Sequence, residues 1–571
     1  MKKLVFLILS TLTFVSCDNY TDVGENPNNL HTADAKPDQY LSAAQALSYS
    51  NQATTMEQLG LLFANTCGGN VQTYATPFIN EFSFNVSTTF YSTIFTNIYL
   101  NTNSYQKIIN YNDVNAEYKN FKAIAKIGKV YNLQYVVDLY GDAPYVEAFQ
   151  GLNNVTPKYD DDYFIYQQLF AELDDARALI DNVIGNVYPN TISAASTDII
   201  FQGDLSKWRR FANTIELKML IRMSNCSGAA AAYRDARLAN MVANNNNVFI
   251  TSDITINPGY STARIDTMNP QFGYFISDNV GNPQYFGLFA PSGYIVKCLN
   301  AYANVNYAST SDQEIIPGKG VFYPNVEDPR RKAIFAISST GAQRGVTQGS
   351  TIVDVIKPGT TNTGQPSRFG SAFFNLYNNT SFSGSLVTSP SGLFSSTLRN
   401  ALGSSNGYIM TMAESSFLQA EAAHLGTQIP GYAVLGLNAQ SAFTSGVSYC
   451  MSQYLITSSA MNNYITQISN TSNANLKNFW YNPSNTFAQN YHAIMYQKWL
   501  SLAPSNAIES YLDLTRTGYP INPLPLNNSY PQRPNRLIYP SSEYIANSSN
   551  VPNVTIGDLF SVNAKSPFWL Q

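Results

Sequence analysis

Leu205-Ser206-Lys207-Trp208-Arg209-Arg210-Phe211-Ala212-Asn213-Thr214-Ile215-Glu216-Leu217-Lys218-Met219-Leu220-Ile221-Arg222-Met223-Ser224 is the stretch whose reading decides the fold. Trp208, Phe211, Ala212, Ile215, Met219, Leu220 and Met223 recur every three or four residues, so a helix gathers them on one face. The spacing predicts an amphipathic helix over 205–224. Residues 38–63 repeat the pattern with Leu41, Ala44, Leu47, Ala53 and Leu61, and residues 116–140 do so up to the turn Gly141-Asp142-Ala143-Pro144. A further helix is expected at 160–182. The carboxylates of Asp160 to Asp162 at its start suit the positive end of the helix dipole, and no EF-hand spacing follows to favour calcium instead. Residues 408–424 (Ile409, Met412, Ala413, Phe417, Ala420, Ala423) and a last helix over 486–502 complete a mostly α reading.

Two long stretches break this pattern. Residues 251–294 and 336–400 are rich in Gly, Ser, Thr, Pro, Asn and aromatic rings. Loops of that length are functional or disordered, and their aromatic content argues against disorder. No composition shift marks a domain linker, so residues 37–571 read as one helical body carrying a loop-rich face.

Only 12% of the 571 residues are charged, well under the ~25% of an ordinary soluble domain. Asn, Ser, Thr, Gln and Tyr supply the polarity instead, which suits neutral polar ligands and export. The formal charge is −4, and no Lys/Arg run could track a phosphate backbone, which argues against nucleic-acid binding. His31, His424 and His492 are scattered, which argues against a histidine zinc site.

The N-terminus reads as an address. Met1-Lys2-Lys3 is followed by a short apolar run, Leu4 to Val15, and then Ser16-Cys17. This is a secretory signal, too short to span a bilayer. Phe14-Val15-Ser16-Cys17 resembles a bacterial lipobox, with Phe where Leu is usual. Residues 1–16 are expected to be removed and Cys17 lipidated, with 17–36 as a flexible leader; plain secretion with a free Cys17 is the alternative. Cys67, Cys226, Cys298 and Cys450 show no CxxC spacing and read as buried thiols.

The motifs offer no catalytic centre. HExxH is missing, and no nucleophile elbow is expected although Gly403-Ser404-Ser405-Asn406-Gly407 has the GxSxG spacing; Gly359 and Gly364 have P-loop spacing but lead into Gln365-Pro366, which supplies no phosphate-binding Lys. A carboxylate pair for glycoside hydrolysis needs proximity rather than spacing, so it stays open. No cofactor and no metal site is predicted.

Several segments, in order, resemble one family. They are Asp22-Val23-Gly24-Glu25-Asn26-Pro27-Asn28, Leu139-Tyr140-Gly141-Asp142-Ala143-Pro144-Tyr145, Lys207 to Asn213, Asp328-Pro329-Arg330, Ala413-Glu414 through Ala420-Glu421-Ala422, Arg516-Thr517-Gly518-Tyr519-Pro520, and Arg536-Leu537-Ile538-Tyr539-Pro540 with Glu543 and Asn547. Behind a lipobox, the series resembles the SusD/RagB-like outer-membrane nutrient-binding lipoproteins, more closely their second, SusD-like branch. The resemblance covers almost the whole mature chain. It implies a scaffold of paired, tetratricopeptide-like helices whose loop-rich insertions form the ligand face. It also implies a lipid-anchored protein on the outer membrane, facing the exterior. Its partner would be a SusC-like TonB-dependent β-barrel transporter, over which it acts as a lid. Members of the family bind nutrients, starch and other oligosaccharides mostly and peptides in some systems, and are not enzymes. Oligosaccharide capture is therefore the expected role, with oligopeptide cargo as the alternative and a lipid-anchored glycan hydrolase as the third reading.

Sugar recognition needs flat aromatic faces and a few placed amides or guanidinium groups. The candidates are Asn70, Tyr74 and Phe78, with Gln72, after the first helix; Tyr260, Arg264, Tyr274, Tyr285 and Phe289, with Phe272 and Phe286, in the first long loop; and Arg368 with Phe369 in the second. The competing reading is that these rings pack the loops onto the helices. Asp266-Thr267-Met268 resembles a bacterial O-glycosylation acceptor, which makes Thr267 a modification candidate. The Trp208 and Trp499 rings read as structural, and Trp480 and Trp569 are left open.

Overall fold

The computed structural model describes residues 35–183, 197–300, 323–336, 343–351, 353, 366–370, 373 and 396–571. The signal segment, Cys17, nearly all of the leader, His31 and most of 336–400 lie outside the described residues.

The body is built of antiparallel helix pairs. In the N-terminal half these are α1 (Pro37–Asn51), α2 (Glu57–Phe63), α3 (Thr93–Asn110), α4 (Lys119–Tyr140), α5 (Asp162–Val183), α6 (Leu205–Arg222) and α7 (Gly228–Ala243). The C-terminal half adds α8 (Met412–Leu425), α9 (Ala439–Gln453), α10 (Ser458–Ile468), α11 (Phe487–Leu502) and α12 (Ala507–Thr517). α1 packs on α3, α3 on α4 and α4 on α5; in the second half α8 packs on α9 and α11. This is the mostly α, tetratricopeptide-like scaffold expected from the sequence. Two small antiparallel ladders join distant loops: β1 (Cys67–Gly69) with β3 (Phe289–Pro291), and β2 (Ile254–Ile256) with β4 (Gly407–Met410).

α6 forms where its period places it. Asp204 caps it by accepting from the Ser206 and Lys207 amides, and Trp208 Nε1 donates to Asp198 Oδ2 at 2.8 Å. From Phe211 to Arg222 every residue is buried, so α6 is enclosed on all sides rather than lying half in solvent. Asp161 caps α5 as expected, accepting from the Phe164 amide at 2.9 Å. Its neighbour Asp162 accepts from the Phe568 amide, and Asp142 accepts from the Asp162 amide. The carboxylates of Asp142, Asp161 and Asp162 thus converge on amides, with oxygens within 4.8 Å of one another.

Two of the quoted segments meet in space. Gly141 ends α4 at φ +75°, and a Cβ there would lie 3.1 Å from Arg536 Nη1. Leu537 N donates to Leu139 O, Tyr539 OH donates to Asp142 O, and the Tyr140 and Tyr539 rings stack. The Asp328-Pro329-Arg330 segment is likewise internal. Arg330 is fully buried, pairs with Asp328 at 2.6 Å and donates to Gln497 Oε1 on α11.

A chain with few charges buries many of them at one place. Lys218 and Arg222 on α6, Lys498 on α11 and Arg516 on α12 face Asp138 on α4, Glu414 and Glu421 on α8, and Glu509 and Asp513 on α12. Glu509 accepts from Lys218 at 2.8 Å and from Arg222 at 2.5 Å, Asp513 pairs with Lys498 at 2.7 Å, and Glu421 pairs with Arg516 at 2.6 Å. Five carboxylates meet four cations. Burial pushes the Glu414 carboxyl up to about 7, with the Glu509 charge adding to it, so near neutral pH the surplus negative charge is partly relieved.

The structure corrects three details of the sequence reading. Residues 38–63 are not one regular helix: a π turn at Gln52–Met56 separates α1 from α2. Gln52 there spans the interior, donating to Ile409 O and Ser505 O and accepting from Tyr131 OH. Residues 407–410 are strand β4, because Thr411 caps the helix by accepting from the Glu414 amide and α8 begins only at Met412. The helix at 487–502 is not the last, since α12 follows; it buries Glu509, Asp513 and Arg516 along with its apolar Ile508, Tyr511 and Leu512. Trp480 and Trp569, left open by sequence, are both buried. The four described cysteines are buried free thiols.

Candidate functional site

The β1–β3 ladder brings the segment after α2 against the first long loop, with Gly68 opposite Ala290. Asn70 locks this junction. It is wholly buried, its amide N–H donates to Leu288 O at 2.7 Å, and its Nδ2 donates to Gly287 O at 2.8 Å and to Thr73 Oγ1. A buried amide with these partners shapes the loops and is out of a ligand's reach in this conformation.

Around the junction the structure gathers seven of the nine predicted ligand residues, Asn70 among them. Phe289, buried, is the hub: its ring centroid lies 4.7 Å from Phe78, 6.5 Å from Tyr285, and 5.4 Å from Phe369. Tyr274 and Tyr285, both half-buried, stack at 4.7 Å. Tyr74 is 40% exposed, and its OH lies 3.0 Å from where a Cβ on Gly287 would sit. The Arg368 guanidinium stands over the Phe286 ring, 5.9 Å from its centroid. The rings therefore do both things weighed for them. Phe289 and Phe369 pack the loops, while Tyr74, Tyr274 and Tyr285 keep surface.

The platform is anchored from below. Tyr274 OH donates to Gln58 Oε1 on α2 at 2.6 Å, and Tyr91 OH donates to Glu81 Oε1 at 3.0 Å. Burial raises the Glu81 carboxyl above its ordinary range, while its own hydrogen bonds pull the other way. Beside the platform opens a cleft of about 280 Å³ lined by Val71, Ala75, Phe82, Val346, Ser350 and Asn527 among others. No motif pointed to Val346, Ser350 or Asn527. They reach the cleft because Leu526 N donates to Gln348 O and Asn527 Nδ2 donates to Gly349 O, tying a C-terminal loop to a central one.

The remaining predicted residues lie on a separate loop. Tyr260 is half-buried, and its amide donates to Asn257 Oδ1. Arg264 is exposed and paired with Asp266 two residues on. Thr267, half-buried, has its hydroxyl bonded within the same turn, to Ser261 O at 3.0 Å and Arg264 O at 2.9 Å.

The two described histidines are internal. His492 Nδ1 meets Asn478 O at 2.5 Å while its Nε2 accepts from the Ile521 amide, and burial lowers it to about 4. His424, also lowered by burial, stacks on Phe487. Neither is placed to move a proton at the platform. What the face offers chemically is flat rings, amides and a guanidinium beside a cleft, groups suited to contact with polar organic molecules.

Comparison with known families gives two matches. Residues 27–279 match the family described as starch-binding and associating with the outer membrane. Residues 390–565 match the family of SusD and RagB outer-membrane lipoproteins. No curated protein matches the chain. Solved structures do. A chitin-binding SusD homologue from Flavobacterium johnsoniae superposes with TM-score 0.64 at 20% identity, covering 93% of this chain and 98% of its own. A SusD homologue from Parabacteroides distasonis gives TM-score 0.62 at 18% identity over 90% and 93%. A SusD-like protein from Bacteroides thetaiotaomicron gives 0.59 at 18% over 89% and 94%. At these identities the likeness establishes the fold.

Proposed function

This chain belongs to the SusD/RagB-like family of outer-membrane, nutrient-binding lipoproteins, and from that premise we propose that it captures oligosaccharide at the cell surface. In this reading Cys17 carries the lipid anchor. The bound glycan is passed uncleaved to a SusC-like TonB-dependent barrel, over which the protein closes as a lid. The observation that carries the reading is the exposed edge of the Tyr74, Tyr274 and Tyr285 platform with Arg368 beside it. Tyrosine faces cover the C–H surface of a pyranose, and the guanidinium and loop amides take its hydroxyls. The description of the Flavobacterium relative as chitin-binding adds weight to a glycan ligand. Thr267 remains a candidate for O-glycosylation, although its hydroxyl would first have to leave its present partners.

The experiment has two arms. Outer membranes are solubilised and the protein is recovered by affinity, and a TonB-dependent barrel is expected to copurify. Cys17→Ala should release the protein from the membrane while leaving glycan affinity intact. Recovery of the protein without any barrel would overturn the delivery role, and membrane retention of Cys17→Ala would overturn the anchor.

A further inference from the structure

A second cleft, of about 360 Å³, lies between the end of α12, the loop that follows it and the C-terminal segment. Leu514, Ile521, Leu524 and Val562 supply apolar walls, and among the described residues Arg533 is the only charged one that lines it. Arg533 has no carboxylate partner among the described residues. Its Nη2 donates to Pro523 O at 2.6 Å, and its buried Nε has no partner. The two phenols near it are already engaged: Tyr511 OH donates to Pro534 O and Tyr294 OH to Ile521 O. Burial lowers the guanidinium to about 10, so it is still cationic at neutral pH. A half-buried cation without an opposing charge is costly, and the buried Arg330 and Arg516 are each paired with a carboxylate.

Two more unpaired groups stand in the same wall. Asn522 spends its Nδ2 on Ala64 O, and Asn535 spends its Nδ2 on Ser561 O and Ser566 Oγ. The Oδ1 atoms of both are buried without a hydrogen-bond partner. The cleft is thus lined by one planar cationic side chain and two amides, each with a polar atom left unpaired, over an apolar floor. A guanidinium fork matches a carboxylate, amide oxygens accept from hydroxyls, and apolar walls take a C–H face. A phosphate dianion would meet the guanidinium equally well but would be repelled by the two amide oxygens.

We propose that this cleft is a second ligand site, separate from the aromatic platform, that takes a carboxylate-bearing sugar unit of the uronic-acid kind. Its carboxylate pairs with Arg533 and its ring hydroxyls donate to Asn522 and Asn535. The inference does not depend on what the platform binds.

Purified protein is titrated with glucuronate, glucose and inorganic phosphate by ligand-observed NMR. Saturable glucuronate binding is expected, at least about tenfold tighter than glucose. Arg533→Gln should weaken it about tenfold. Because that change could disturb the loop, Gln532→Glu is the second variant: Gln532 is exposed, lines the same cleft, and would place a negative charge beside the guanidinium. It too should weaken glucuronate about tenfold by direct repulsion. Equal binding of glucose and glucuronate, phosphate binding tighter than glucuronate, or glucuronate affinity unchanged in Gln532→Glu would each overturn the proposal.

Discussion

The rings of Tyr274 and Tyr285 stack with centroids 4.7 Å apart and planes 27° from parallel. Tyr274 is held from beneath by Gln58, so its partner Tyr285 is presented on a fixed base rather than on a free loop. A ligand that lies on this pair meets surface already ordered, which lowers the entropy lost on binding.

Tyr285→Ala should therefore weaken oligosaccharide binding about tenfold, the order expected for one stacked ring. Tyr285→Phe should cost much less, since the face remains. Calorimetric titration separates the two. Equal affinities for Ala and wild type would remove Tyr285 from the ligand face.

Much of the scaffold was legible because its helices carry a clear apolar period. Trp208 to Met223 is the plainest case, and α4, α5 and α11 followed from the same rule. α12 carries the period too, in Ile508, Tyr511 and Leu512, but over only 11 residues; the burial of Glu509, Asp513 and Arg516 is what a periodic reading does not show, since it scores such residues as solvent-facing. For the candidate ligand face, sequence named rings that the structure brings together but could not rank them by exposure. Phe289 and Tyr285 lie four residues apart in one loop, yet one is a buried hub and the other keeps surface. Asn527 joins the cleft across a long separation in the chain, which no local pattern encodes.

Arg222→Met should destabilise the fold by about 3–5 kcal/mol, the usual cost of stranding a buried carboxylate. Arg222 is the shared donor to Glu509, Asp138 and Asp513, so its loss leaves three acids facing each other with fewer cations. Denaturant unfolding measures this. A change below about 1 kcal/mol would mean the network contributes no more than a surface pair.

Stability should also depend on pH through Glu414. Burial raises its carboxyl from an ordinary 4.5 to about 7, so between those values the folded chain holds a proton that the unfolded chain releases. Folding is then favoured at the low end of the window and loses that advantage as pH rises to 7. Glu414→Gln removes the titrating group and should flatten this slope, gaining roughly 2–3 kcal/mol on wild type by pH 8. Asp138, raised to about 6 chiefly by burial, acts in the same direction and will leave a residual slope. Glu509, held down to about 2 by Lys218 and Arg222 against its burial, acts oppositely and only at lower pH. Urea unfolding at pH 5, 6.5 and 8 makes the test, and parallel profiles for the two proteins would contradict it.

Gly60 marks the contact of α2 with α12. A Cβ there would lie 2.1 Å from the Ala507 carbonyl carbon and 2.3 Å from its oxygen, so the two backbones touch. Gly60→Ala must push the helices apart and should cost about 1–3 kcal/mol, read as a lower melting temperature. An unchanged or higher melting temperature would show that the contact yields freely.

The most direct test of glycan capture is calorimetric. The purified protein, wild type and Tyr74→Ala/Tyr285→Ala, is titrated with a panel of neutral oligosaccharides and short peptides, and the recovered ligand is analysed for cleavage. The account predicts saturable binding of an intact oligosaccharide by the wild type and its loss in the double variant. Binding of peptides alone, oligosaccharide binding that survives the double variant, or cleaved ligand would contradict it.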